Sequence, residues 1–222
     1  MARKLASIVR IASCDPVPDT DRLSVARMEG KDWQVITGRG EFSPGDLALY
    51  CEIDSFLPAD DQRFAFLHDR CLRKIVSKGG ALLHQGVRIK TVKLRGVVSQ
   101  GLLMPVPLFP EIQERIVESE STGELLFCAD PEGEDAQWVP AIGADLTELL
   151  HVEHYDEVLE VYRPQTGCSV AGDAMGRFPT DWIPKTDAER IQNLSSYFTD
   201  EKLKGLSFEV SEKLDGSSVT MF

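Results

Sequence analysis

Toward the end of this 222-residue sequence, Glu212-Lys213-Leu214-Asp215-Gly216-Ser217-Ser218 sets a lysine, two carboxylates and a glycine between two short apolar runs, 206–210 and 218–222, that read as strands. A lysine attacks a phosphate only as the neutral amine, and an ammonium with an ordinary pKa near ~10.4 must be deprotonated by burial or by nearby metal charge. Asp215, two residues on, projects to the same side of an extended segment and there can orient metal-bound water. Gly216 lets backbone approach a nucleotide where a side chain would block it. The same residues also make an ordinary Asp-Gly hairpin turn, and K-x-D-G alone does not separate the two readings.

A second kind of chemistry is carried by charge. The formal net charge of −12 argues on average against a polyanionic partner, yet residues 1–110 hold 16 basic and 12 acidic side chains, whereas 111–222 hold 8 and 24. Between residues 63 and 95 stand nine basic residues (Arg63, Arg70, Arg73, Lys74, Lys78, Arg88, Lys90, Lys93, Arg95) against the single acid Asp69. Such asymmetry is what a phosphate-backbone surface requires; the alternative is a basic face that pairs with the acidic half of the same molecule. Five cysteines (Cys14, Cys51, Cys71, Cys128, Cys168) stand far apart with no C-x-x-C, so they read as reduced thiols rather than as a zinc site or a disulfide framework. His151 and His154, beside Glu153 and Asp156, read as a solvated helix end in preference to a metal site.

The elements that position these residues are mainly strands. Residues 3–58 alternate apolar and polar over 5–11, 23–28, 33–37 and 47–53, with Gly, Pro and Asp between the runs. Short strands at close spacing make a small barrel, which closes on itself to remove its edges. From Val87 to Arg95 apolar and basic residues alternate over nine positions, which predicts one strand with a core face and a cationic face bearing Arg88, Lys90, Lys93 and Arg95, bent at Gly96. Residues 109–139 are acidic and loop-like, and 142–150 read as a short helix with Asp145 at its N-cap and Glu148 closing a capping box. Pro164, Gly167, Gly172 and Gly176 mark a linker at 161–178. The expected organisation is an OB-like RNA-binding domain at 1–160 with an acidic insertion, that linker, and the α+β start of a second domain at 179–222, with a helix at 188–198. No run of about 18 apolar residues and no secretory signal occurs, so a soluble, cytoplasmic protein is expected.

Four ordered strings carry a resemblance to a known family: Lys90-Thr91-Val92-Lys93-Leu94-Arg95-Gly96 running on to Ser99-Gln100-Gly101-Leu102; Gly143-Ala144-Asp145-Leu146-Thr147-Glu148-Leu149-Leu150; Ile183-Pro184-Lys185-Thr186-Asp187-Ala188-Glu189-Arg190-Ile191-Gln192-Asn193-Leu194; and the lysine string itself. Together they resemble the ATP-dependent RNA ligases with an N-terminal OB domain, the Deinococcus and Naegleria type, within the covalent nucleotidyltransferase superfamily. The stretch 19–25 with Gln34-Val35-Ile36-Thr37-Gly38 is also similar to the tRNA-binding OB module of some aminoacyl-tRNA synthetases, which leaves a non-catalytic RNA-binding module as the alternative.

The ligase resemblance implies that Lys213 attacks the ATP α-phosphate to form lysyl-AMP, that Glu212 receives the adenine amino group, and that Asp215 holds water on a catalytic magnesium, with manganese as a substitute. AMP would then pass to an RNA 5′-phosphate and be displaced by a 3′-hydroxyl, sealing ends or nicks in RNA repair. Arg190 and Gln192 are weaker candidates for nucleotide contacts, a capped helix face being the other reading. Ser218 stands where DNA ligases and capping enzymes carry arginine, which favours the RNA-ligase branch. The resemblance also implies that the remaining catalytic motifs would follow Phe222, so the chain as given is expected to bind nucleic acid weakly and to ligate nothing.

Overall fold

A computed structural model describes residues 3–133 and 136–166. In chain order its strands are β1 (Ala6–Pro16), β2 (Leu23–Met28), β3 (Gln34–Gly38), β4 (Leu47–Cys51), β5 (Ser55–Pro58), β6 (Leu72–Val76), β7 (Leu82–Arg88), β8 (Val92–Leu94), β9 (Val97–Ser99), β10 (Leu102–Pro105), β11 (Ile116–Glu118), β12 (Leu125–Phe127), β13 (Val139–Pro140) and β14 (Glu153–His154). Helices are few: α1 (His68–Cys71), α2 (Pro110–Gln113) and the twelve-residue α3 (Tyr155–Thr166). Among the described residues no helix is long and apolar enough to cross a membrane.

The fold is mainly β and begins with an OB-like barrel. Five strands run in the order β10-β4-β1-β2-β3, all antiparallel. The long strand β1 is shared: Ala6 to Arg10 pair with β4, and after a register shift between Ile11 and Ser13 the rest pairs with β2. A bulge of this kind bends the strand, which is how one sheet curls far enough to close. Closure comes from the chain just ahead of β10. The Gln100 N–H donates to Gln34 O at 2.9 Å, Gln34 Nε2 donates to Val98 O at 2.9 Å, and Ser99 Oγ accepts the Ile36 N–H at 2.9 Å, so β9 lies along the edge of β3.

Two cores share β1 and β4. Val9, Ile11, Ala48 and Tyr50 face the barrel interior with Trp33 and Phe42, while the alternate residues Ile8, Leu49 and Cys51 face a second core with Phe64, Phe109 and Leu146. Strands buried on both faces read as continuous apolar runs, which is why Leu47-Ala48-Leu49-Tyr50-Cys51 lacks polar alternation. Gly101 makes the turn from β9 to β10 at φ +108°, and a Cβ there would meet the Tyr50 ring and the Cys51 carbonyl. The Tyr50 hydroxyl donates to Gln100 O at 3.0 Å across the same turn.

Between β4 and β10 the chain inserts β5, β6 and β7, which with β14 from beyond β10 make a second sheet ordered β14-β5-β7-β6. Phe56, Ile75 and His84 lie on the face that α3 covers with Tyr155, Val158, Leu159 and Tyr162, an i, i+3, i+4, i+7 stripe. Gly86 lets the Phe56 ring lie against the strand, since a Cβ there would stand 2.5 Å from Phe56 Cε1.

Several expectations are corrected. The predicted nine-residue strand ends at Arg88, where β7 stops; Ile89 turns into the core, and only Val92 to Leu94 resume as β8. Gly96 is not a bend within a strand but half of a two-residue turn, Arg95 at φ +51° and Gly96 at φ +83°, joining β8 to β9 as a hairpin. The helix expected at 142–150 is at most one turn, because 143–146 are spent on β1: Gly143 N–H donates to Ile8 O (2.7 Å), Ile8 N–H to Ala144 O (3.2 Å) and Leu146 N–H to Ala6 O (2.9 Å). Asp145 accepts from the Thr147 backbone and hydroxyl instead of forming a capping box with Glu148. The acidic stretch is not a loop throughout, since it forms α2 and a three-stranded sheet, β11-β12-β13, around buried Phe127. His151 sits on a turn at φ +51° and His154 on β14, immediately before α3 rather than on a helix. Helix α3 continues to Thr166, six residues into the expected linker; the rest of that linker, the 188–198 helix and the start of the second domain lie outside the described residues.

Candidate nucleic-acid interface

Of the residues expected to do chemistry, Lys213, Glu212, Asp215, Arg190, Gln192 and Ser218 all lie outside the described residues, as does Cys168. The four residues expected to contact RNA are described, and the structure divides them. Arg88, at the end of β7, donates from Nη2 to Asp54 Oδ1 at 2.8 Å and lays its guanidinium 4.0 Å over the Tyr155 ring. Asp54 itself, at φ +68°, accepts the Tyr155 N–H at 3.0 Å and donates its own N–H to Ile89 O at 2.8 Å. Arg88 therefore ties the end of β7 to the start of α3, and its charge is spent inside the protein.

Lys90, Lys93 and Arg95 differ. All three are exposed, and among the described residues their side chains take part in no ion pair or hydrogen bond. Lys93 is on β8, Lys90 just before it and Arg95 in the turn that follows. Lys93 stands opposite Val98 in the hairpin, and Val98 is in turn fixed to Gln34 of β3. The hairpin is a two-stranded sheet of its own that lies against the β3 edge, and with Lys90 just before it carries three cations without an ion pair among the described residues. It occupies the connection between the fourth and last barrel strands, and in OB folds that connection, with the strand 2–3 face, contacts oligonucleotides.

The barrel's own outer face is poorer in free charge. Arg27 is paired with Asp15 at 2.5 Å and sits opposite Gln34, while Arg39 reaches Asp21 at 3.5 Å. The aromatic residues nearest this sheet, Trp33 and Phe42, are buried in the barrel interior. With no aromatic platform on β2 or β3, base stacking has no surface there, and contact with a nucleic acid would run through phosphate.

Elsewhere the ionisable groups serve structure. Burial by itself would raise the Asp61 carboxyl, but hydrogen bonds and charge from Arg63 outweigh it and hold Asp61 below the ordinary carboxylate value. Arg63 also bonds Glu111 at 2.6 Å and lies 4.2 Å over Phe109, fastening the insertion to α2. Burial pushes the Cys51 thiol up to about 12, and Cys14 is raised by burial and by Asp46 and Asp15. Cys14, Cys51, Cys71 and Cys128 are free. Among the described residues no cluster of His, Cys, Asp and Glu has the arrangement of a metal site. A cleft of about 790 Å³ lies between β5, β7 and residues 147–153, and His84, paired with Glu153 at 2.7 Å and stacked on Tyr162, forms part of its wall. Nothing in sequence spacing pointed to that cleft, because its walls are brought together only by the ladder between β14 and β5.

Comparison with known proteins agrees with this architecture. A family model described as an OB-fold domain matches residues 5–106, the span from β1 through β10. Among solved structures the chain is similar to Naegleria gruberi RNA ligase with pyrophosphate, at 32% identity and a TM-score of 0.60, over 97% of this chain and 51% of that one. An arginine-to-alanine variant of the same ligase with ATP and manganese matches at 31% identity and a TM-score of 0.61, with the same coverage. A lysine-to-methionine variant with AMP and manganese matches at 30% identity and a TM-score of 0.54, over 86% and 45%. The chain spans about half the length of these ligases. No curated protein matches it.

Proposed function

We propose that this chain is the RNA-binding barrel and nucleotide-attachment segment of an ATP-dependent RNA ligase. The observation that carries the reading is the likeness to the Naegleria RNA ligase over 97% of this chain, at 32% identity, in a sequence that also holds Lys213, Asp215 and Gly216 at K-x-D-G spacing. The solved relatives with ATP, AMP, pyrophosphate and manganese are in keeping with nucleotide and divalent-metal use.

In this reading the Lys213 amine attacks the α-phosphorus of ATP; a P–N bond forms, the bond to the β-phosphate oxygen breaks, and pyrophosphate leaves. Glu212 receives the adenine amino group, while Arg190, Gln192 and Ser218 line the nucleotide. Magnesium or manganese, when bound, neutralises charge on the phosphates, and Asp215 is the carboxylate of this chain suited to hold its water. AMP then moves to an RNA 5′-phosphate, and a 3′-hydroxyl displaces it to close the strand. Lys90, Lys93 and Arg95 hold the RNA backbone on the β8–β9 hairpin. Their contribution is positioning, the dominant requirement of phosphoryl chemistry.

The test is covalent labelling with α-labelled ATP and a divalent cation, in the 222-residue chain and in a version lengthened to match the Naegleria enzyme. Label that survives denaturation, is lost in Lys213→Ala and is released by acid as expected of a phosphoramidate supports the reading. Absence of label in both lengths overturns it and leaves an RNA-binding OB module without catalysis.

A further inference from the structure

We propose that α1 and the β6–β7 hairpin carry a second RNA contact, made by Arg70, Lys74 and Lys78, which engages the backbone of an RNA already held at the β8–β9 hairpin. The proposal rests on the RNA-binding reading above and adds a surface to it.

Nine cations lie between residues 63 and 95, and their uses now differ. Arg63 and Arg88 are consumed by Asp61, Glu111 and Asp54. Arg73 is half-buried and donates to Leu72 O. Lys90, Lys93 and Arg95 belong to the hairpin beside β3. Arg70, Lys74 and Lys78 remain, all exposed and, among the described residues, without an ion pair.

The acidic half of the chain does not neutralise them where it is described. From residues 111–133 only Glu111 reaches the basic segment, at Arg63, and among the described side chains of 136–162, which do not include Glu160, only Glu153 does, at His84. The charge is therefore presented outward.

The scaffold beneath it is firm. Lys74 stands opposite Gln85 in the β6–β7 ladder, and Lys78 rides on a closed turn in which Ser77 N–H donates to Ala81 O at 2.7 Å and Gly80 N–H to Ser77 O at 2.9 Å. Because β6 is an edge strand, Lys74 also discourages pairing with other chains. Edge protection does not account for Arg70 in α1 or for Lys78 in the turn.

Distance separates the two contacts. At about 3.3 Å per residue, the length of β7 puts Lys78 roughly 20 Å from the end of the strand that leads to Lys90. An A-form RNA duplex rises about 2.8 Å per base pair, so four base pairs span about 11 Å and sixteen about 45 Å, and a short ligand reaches one contact whereas a long one reaches both.

The experiment measures the salt dependence of binding for a 16-base-pair RNA and a 4-base-pair RNA hairpin, with the whole chain, a K90A/K93A/R95A variant and a R70A/K74A/K78A variant. A K74Q/K78Q variant is run alongside to keep the side-chain volume. On the long RNA each triple variant is expected to lower the log–log salt slope by about two to three, at about 0.7–0.9 per lost phosphate contact. On the short RNA only K90A/K93A/R95A is expected to lower it. An unchanged slope for R70A/K74A/K78A and K74Q/K78Q on the long RNA overturns the second contact while the first stands. An equal loss on both RNAs overturns it as a separate contact. If K90A/K93A/R95A also changes nothing, the RNA-binding reading itself fails.

Discussion

The barrel and the segment inserted between its fourth and last strands divide the work of this molecule. Barrel strands β1 to β4 are tightly cored, and two of the cations on or beside them, Arg27 and Arg39, are matched by Asp15 and Asp21. The insertion adds Phe56 and Ile75 to a smaller apolar cluster completed by Val158 of α3, and six of its exposed cations have no ion pair among the described residues. On the proposed reading, an OB scaffold pairs much of the charge on its strands and places its affinity for polyanions in a connection, where charge disturbs no core packing.

Damage to the barrel's closure should cost most. Gly101→Ala puts a side chain at φ +108° against the Tyr50 ring and backbone, and a loss of about 3 kcal/mol or more is expected from urea unfolding of the chain. Gly86→Ala forces the Phe56 ring off the second sheet and should cost about 2 kcal/mol, with α3 gaining amide exchange while β1 to β4 keep their protection. Uniform loss of protection in both regions would mean that the two cores unfold as one.

Arg88→Ala removes the hydrogen bond to Asp54 and the stacking on Tyr155, for about 1–2 kcal/mol. Its RNA salt slope should equal that of the parent chain; a shallower slope would return Arg88 to the interface. The smallest effect concerns Asp61. Its folded pKa is lowered, so its contribution is fully present above the unfolded value of about 3.9 and fades as pH falls through the folded value. Urea midpoints between pH 6 and 3 should show this loss in the parent chain and less of it in Arg63→Ala; identical pH profiles would show that the pair contributes nothing.

The barrel was legible because antiparallel strands with one or two buried faces announce themselves in short apolar runs bounded by Gly, Pro and Asp, and β2 falls on residues 23–28 as expected. The insertion was harder. Alternation from Val87 to Arg95 is equally satisfied by one strand and by a strand, a core residue and a hairpin, and the two are separated by the exposure of Val92 and Leu94 and the left-handed turn at Arg95 and Gly96. For the same reason Arg88 and Lys93 look alike in sequence and do opposite things: the partners of Arg88, Asp54 and Tyr155, are 34 and 67 residues away. The capping-box pattern at Asp145 and Glu148 lost to tertiary hydrogen bonds with β1, which used the backbone a helix would have needed.

The comparison between the two regions is tested most directly by titrating RNA between 50 and 200 mM salt with three proteins: the parent chain, K90A/K93A/R95A, and a barrel-face variant, R27A/R39A. A log–log slope shallower by about two to three is expected for the hairpin variant and one unchanged within about half a unit for the barrel-face variant. The reverse pattern, with R27A/R39A flattening the slope and the hairpin variant leaving it intact, would place the RNA on the barrel strands and contradict binding at the β8–β9 hairpin.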